Sequence, residues 1–425
     1  MLDGMSAALP LRRLTLDNGM RVVVNTDMTL PAVAVNLSYE VGSADEVAGR
    51  HGFAHLFEHL MFSGTTSGIA AGEHLATLES VGGSANASTS FDRTTYVETV
   101  PAGALDLALW LEAERLAHLA VTAENLATQR DVVKEEKRQR YDNTPYGDLL
   151  DVLLAQQFPP GHPYAHSPIG SVPDLEAADL DDVVAFHRRW YRPSNATLVV
   201  CGCVEADEAL RLVERHLGAV PDSGETLRRA PVAPVGGGEP ARTVVERGVP
   251  RTAVTLSWGS PAVGDRAHLP LDLAADVLSA GMASRLVRRL EREAGLVDAV
   301  GASDLGLVRA GSVMTLAAHL KPGVDEERYR GELDAVLRGL AAEGPRPAEL
   351  DRVRAQVERG WLESFSAVDD RAELLGFHER VLGDAGLVAT HLARVGAVGA
   401  EEISEAAKRW LDPAAASVVV HRDES

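Results

Sequence analysis

The chain has 425 residues, 45% apolar and 24% charged, with 62 acidic against 41 basic side chains and a formal net charge of −21. That length exceeds one ordinary core and calls for two or more domains. The acidic balance disfavours nucleic acid and anionic membranes as partners, leaving plain solubility or an affinity for basic peptides as readings. No apolar run approaches the roughly twenty residues that span a bilayer. Met1–Leu11 lacks a continuous apolar core and a cleavage site. No secretory signal is therefore expected, the expected location is cytoplasmic, and Met1 and Met5 are both possible starts.

In chain order, Leu14–Asn25 reads as a hairpin about the turn Asp17-Asn18-Gly19. Pro31–Val41 alternates as a strand with one face buried. A helix comes next at about His51–Ser63, and a second at Glu73–Val81 stops at Gly82-Gly83. Ala85–Val100 reads as a strand pair, and Leu105–Ala120 and Thr122–Arg140 as long helices. Ala178–Trp190 is a further helix and Ala196–Val204 a strand. The only two cysteines, Cys201 and Cys203, fall in that strand, so reduced core thiols are expected; a Cys-x-Cys metal site has no further cysteine to complete it.

Pro221–Pro240 is rich in proline and glycine and lacks a period, which marks a linker. The second half of the chain repeats the first. Ala253–Trp258 (AVTLSW) matches Ala34–Tyr39 (AVNLSY), a helix at about Leu271–Glu293 takes the place of the one at 51–63, and a late helix leads into Ala416–His421. The expected organisation is a first domain over 1–220, a linker at 221–241 and a related domain over 242–425. Helices separated by hairpin-like strand pairs predict an α+β fold, two similar domains each with a mostly antiparallel sheet packed with helices.

The stretch that carries chemistry is His55-Leu56-Phe57-Glu58-His59. Residues four apart share a helix face, so His55 and His59 point the same way, as two ligands of one zinc ion would. Glu58 can reach the same spot and take a proton from a water beside the metal. The order His-x-x-Glu-His inverts the commoner zinc-protease spacing. Phe53, Leu56, Phe57, Leu60, Met61 and Phe62 make this helix apolar nearly all round, and buried histidines and glutamates need partners. A third ligand is offered by Glu136, which shares a helix face with Val132 and Val133. The alternative for Glu136 is a salt bridge to an arginine.

With these residues in place the chain resembles the inverzincin peptidases of the pitrilysin, insulysin and mitochondrial processing peptidase group. The 76 residues between His59 and Glu136 match that family's spacing. Further matches are Leu16–Val23, Gly83–Ser90 with Asp92, Thr94 and Tyr96 after it, then His162-Pro163-Tyr164, Phe186–Tyr191 and Pro193–Thr197. The resemblance implies a processing-peptidase-like fold, one zinc per chain held by His55, His59 and Glu136, and Glu58 as catalytic base. It implies a peptide substrate paired along the strand that begins at Asn86 and Ala87, inside a chamber that admits only short or unfolded peptides; Asn86 also suits a turn after Gly83.

Two departures from the family pattern matter. In the family the second half of the peptidase, or a partner subunit, supplies an arginine and a tyrosine seven residues apart that hold substrate, and the matching positions here are Glu291 and Asp298. Carboxylates repel a developing oxyanion. The expectation is a heterodimer in which a related partner chain supplies the arginine and tyrosine; the alternatives are that Arg288, Arg289 or Arg292 fills the role in a self-sufficient homodimer, or that the chain is a non-catalytic structural subunit. In addition Gln129 stands where the family usually has a supporting glutamate.

Overall fold

The computed structural model describes residues 9–229, 231–234 and 239–422. In the first half of the sequence the elements run β1 (Leu11–Thr15), β2 (Arg21–Thr26), β3 (Ala32–Tyr39), α1 (Phe53–Leu60), α2 (Glu73–Ser80), β4 (Ser84–Thr89), β5 (Thr94–Pro101), α3 (Leu105–His118), α4 (Ala123–Lys137), α5 (Leu149–Gln157), α6 (Val172–Ala177), α7 (Leu180–Trp190), β6 (Ala196–Gly202) and α8 (Ala206–Leu217). The second half runs β7 (Arg242–Glu246), β8 (Ala253–Ser260), α9 (His268–Ser279), β9 (Val297–Asp304), β10 (Ser312–Leu320), α10 (Glu326–Glu343), α11 (Pro347–Ser366), α12 (Val368–Leu382), α13 (His391–Ala397), α14 (Ala400–Trp410) and β11 (Ser417–Arg422). No described helix is long and apolar enough to cross a membrane.

Two sheets result, with strand orders β1-β2-β6-β3-β5-β4 and β7-β11-β8-β10-β9. Every pairing is antiparallel except β2 with β6 and β7 with β11. Without β1 the first order maps onto the second strand for strand, the parallel pair included. The repeat visible in AVNLSY and AVTLSW is thus a repeat of topology, two mixed α+β domains with mostly antiparallel sheets. The hairpin turn closes as its residues dictate, Gly19 taking a left-handed φ of 88°.

The compact units do not coincide with the two halves of the sequence. One comprises Met1–Glu136, Ser167–Ala230 and Trp361–His391; the other comprises Lys137–His166, Pro231–Gly360 and Leu392–Ser425. The helices exchanged across the expected boundary at 221–241 are equivalent in the repeat: α5 packs on β8 and β11, and α12 on β3 and β6. Val368, Ala372 and Leu375 of α12 close an apolar cluster with Val23, Ala34, Val199 and Cys201. Of the expected linker, residues 221–229 carry no regular secondary structure, while 230 and 235–238 lie outside the described residues. The single helix expected over 271–293 is broken: α9 stops at Ser279, Gly281 turns left-handed at φ 76°, and a separate π-helical turn covers Val287–Glu293.

Candidate metal centre

Helix α1 is fixed at its start, along its buried face and at its end. Gly52 precedes it with a left-handed φ of 103°. The Glu46 carboxylate accepts from the backbone N–H groups of Gly52 and Ala54, both at 2.8 Å, so an anion meets the positive end of the helix. Gly170 approaches so closely that a side chain there would come within 2.3 Å of Gly52 Cα. Phe53, Leu56, Phe57 and Leu60 are buried. The Phe57 ring stacks on Phe186, and Tyr191 lies beyond it with ring centroids 5.1 Å apart. The Tyr96 hydroxyl donates to the Phe57 carbonyl at 3.3 Å. The remaining stripe of the helix carries His55, Glu58 and His59, all half-buried.

Glu136 reaches that stripe from α4. His55 Nε2 and His59 Nε2 lie 3.6 and 3.2 Å from the same oxygen, Glu136 Oε2. Among the described residues these three form the one cluster whose ligand atoms converge, all within 4.8 Å of one another. Ligands of a tetrahedral zinc at its usual bond lengths stand about 3.4 Å apart. Two imidazole nitrogens and a carboxylate are a donor set that zinc accepts, and the two distances to Glu136 bracket that spacing. Val133 anchors α4 in the core, but Val132, expected beside it on the packed face, is 44% exposed. One hundred degrees per residue turns Val132 away from the face that Val133 and Glu136 share.

Glu58 is held from a neighbouring strand: the Thr89 hydroxyl donates to Glu58 Oε2 at 2.6 Å. Thr89 ends β4, which is an edge strand. Burial along β4 alternates strictly, with Ala85, Ala87 and Thr89 half-buried and Ser84, Asn86 and Ser88 exposed. Alternation puts Ala87 on the same face as Thr89 and Asn86 on the other. Gln129 is half-buried, about two turns before Glu136 on α4.

Behind α1 lies a buried ionic cluster that sequence reading missed. Arg115, 1% exposed, donates through Nε to Glu112 at 2.8 Å and stands over the Tyr96 and Phe62 rings. His74 Nε2 lies 2.6 Å from Glu98 Oε1. Burial pushes the Glu98 and Glu112 carboxyls up to about 7 against the pull of Arg115, and burial together with Arg115 drives His74 down to about 3. The Glu112–Arg115 spacing of three was the available signal, yet such pairs usually lie on a solvated helix face. Thr89 and Glu46 were also missed; for Thr89 the signal was its period-two register with Ala87.

In the second unit, Asp298 lies on β9 and its carboxylate pairs with Arg251 Nε at 3.0 Å. The Tyr146 hydroxyl donates to the Arg251 carbonyl at 2.7 Å, and Tyr146 is the only described residue other than glycine with positive φ, 61°. Glu291 sits in the π-helical turn. Cys201 is buried and Cys203 half-buried, both unbridged.

A repeated α+β scaffold carrying two imidazoles one turn apart, a distant carboxylate and a glutamate beside the second imidazole is the architecture of the inverted-motif zinc peptidases. The chain belongs to the M16 peptidase family. The model described as insulinase (peptidase family M16) matches residues 21–162, and that described as peptidase M16 inactive domain matches residues 177–357. The zinc protease PqqE of Helicobacter pylori is 31% identical over 85% of this chain and 81% of its own. An uncharacterized zinc protease of Mycobacterium tuberculosis is 30% identical over 96% of this chain and 92% of its own. A protease from Helicobacter pylori of known crystal structure superposes with a TM-score of 0.91 at 27% identity, covering 98% of this chain and all of that one. Pitrilysin shares the fold at TM-score 0.80 and 19% identity over 97% of this chain and 45% of its own.

Proposed function

We propose that the chain is a zinc metallo-endopeptidase that cleaves short or unfolded peptides within a chamber, as the catalytic subunit of a heterodimer. The observation that carries this reading is the approach of His55 Nε2 and His59 Nε2 to one oxygen of Glu136, with Glu58 on the same helix stripe. His55, His59 and Glu136 would hold one zinc per chain, which would supply Lewis acidity and bring the ionisation of an adjacent water toward neutral pH. Glu58 then accepts the proton of the attacking water and delivers it to the leaving nitrogen. The free edge of β4 offers backbone groups to an extended peptide running past Asn86 and Ala87, and the exposed Asn86 side chain can add a further bond. Gln129, on the same helix as Glu136, takes the supporting position for which the family resemblance implies a glutamate, and it carries no charge there.

The heterodimer part of the reading rests on Glu291 and Asp298, since neither carboxylate can donate to an oxyanion. One observation favours a self-sufficient homodimer instead: Arg251 is paired to Asp298, and Tyr146 is bonded to Arg251, so an arginine and a tyrosine stand at the position that looked purely acidic. A non-catalytic role is disfavoured because the four residues of the motif are all present.

The test is hydrolysis of a quenched peptide by the purified chain, with zinc measured on the same sample. Zinc near one per chain with no hydrolysis, restored by a related partner chain, supports the heterodimer. Hydrolysis by the chain alone that Glu58→Gln removes supports the homodimer. Hydrolysis that survives Glu58→Gln in zinc-loaded protein overturns the peptidase reading.

A further inference from the structure

We propose that Thr89 is a positioning residue for Glu58, tying the orientation of that carboxylate to the edge strand β4. The inference rests on the peptidase reading and adds a residue to its machinery.

The contact is specific. Thr89 Oγ1 donates to Glu58 Oε2 at 2.6 Å, a short hydroxyl–carboxylate hydrogen bond. The donor is held from the β5 side. Thr89 pairs with Thr94 of β5, which is fully buried and whose own hydroxyl donates to the Val41 carbonyl at 2.9 Å. Its β-branched side chain has few χ1 states. The acceptor is the opposite kind of group, a half-buried side chain with three rotatable bonds before its carboxylate. A fixed donor on one oxygen selects one orientation of the other.

The neighbours of Thr89 fit this role. Ala85 and Ala87 occupy the same face of β4, and their small side chains let α1 come close enough for a short threonine side chain to reach Glu58. A peptide paired to the free edge of β4 would lie against the strand that also carries the donor. Docking and the aim of the base would then depend on one rigid element, which is where a misplacement of about 1 Å is costly.

The experiment compares Thr89→Val, which keeps the shape and removes the donor, with Thr89→Ser, which keeps the donor, each with and without Glu58→Gln. Zinc content, melting temperature, kcat and KM are measured on a quenched peptide, with the partner chain added if the wild type requires it. Thr89→Val should lower kcat about 10- to 100-fold, the worth of one hydrogen bond to a charged group. KM and zinc content should stay near wild type, Thr89→Ser should recover most of the rate, and Thr89→Val should add nothing once Glu58→Gln is present. An unchanged kcat, a loss equal in the valine and serine variants, or a loss expressed in KM overturns the proposal. A crystal structure of zinc-loaded Thr89→Val gives a readout independent of turnover. The Glu58 carboxylate should leave the position seen in the wild type, and its staying there overturns the proposal even if no peptide is cleaved by any form. Absence of hydrolysis by the wild type even with the partner chain present, by contrast, counts against the peptidase reading alone.

Discussion

The helices α1 and α9 occupy the same step of a repeated topology, each placed after the central strand of its sheet, yet they bring different chemistry. On α1 the polar residues converge with a carboxylate from α4 at the spacing of metal ligands. On α9 the polar residues neutralise one another. His268 lies between Asp272, 3.1 Å from Nδ1, and Asp304, 3.6 Å from Nε2. Asp304 in turn accepts from the Ser260 hydroxyl at 2.6 Å. Burial and Asp272 raise the Asp276 carboxyl to about 6, against the pull of Arg352 on α11. The same scaffold thus supports a convergent donor set in one copy and a self-balanced acid–base cluster in the other. The fold of a repeat does not transmit its chemistry; a handful of side chains does.

That contrast can be broken by experiment. The largest effect is expected at Glu58: Glu58→Gln should cut peptide hydrolysis about 10²- to 10⁴-fold, the usual worth of a general base, while Asp276→Asn in the second unit leaves it unchanged. Comparable losses from the two variants would erase the distinction. Next comes the cluster behind α1. Arg115→Met leaves Glu98 and Glu112 buried without their cation and should cost about 3–5 kcal/mol in urea unfolding. Both carboxyls already titrate near 7, so the loss should be greater at pH 8 than at pH 5, where they are protonated. Zinc in hundredfold excess over its Kd should raise the unfolding free energy of the wild type and of His268→Gln by about 2.7 kcal/mol. His59→Ala should lack that response; an equal response would move the metal away from α1.

The smallest effect concerns His268 itself. Burial opposes its charge, but hydrogen bonds and attraction from Asp272 and Asp304 outweigh burial and raise it to about 10. A raised folded value means that the stabilisation is complete below the ordinary imidazole value of 6.5 and fades as pH climbs toward 10. Unfolding measured at pH 6, 8 and 10 should show that decline in the wild type, and His268→Gln should flatten it.

Most of the local architecture was legible because it is written in short-range patterns. Asp17-Asn18-Gly19 needs only its own turn preferences, and His55 and His59 need only the helix period. The 76-residue reach to Glu136 was legible through the family spacing, since no local rule links α1 to α4. What escaped depends on contacts between distant segments. The exchange of α5 and α12 leaves no mark in the periodicity of either helix. Arg115 and Glu112 look like a surface pair until Tyr96 and Phe62 close over them. Thr89 is one threonine among many until β4 is laid against α1. The break after Ser279 was missed because the apolar period continues through it while Gly281 turns the backbone left-handed.

The exchanged helix α12 sets a schedule for synthesis. When the ribosome has made β6, the strands of the first sheet are complete, but the helix that covers Val23, Ala34 and Val199 lies about 170 residues further along. At the usual rate of translation, about 5–20 residues per second, that face waits roughly 10–30 s for its cover. Expressed apart from α12, the first half should expose this apolar face and aggregate, which sedimentation of the fragment would show.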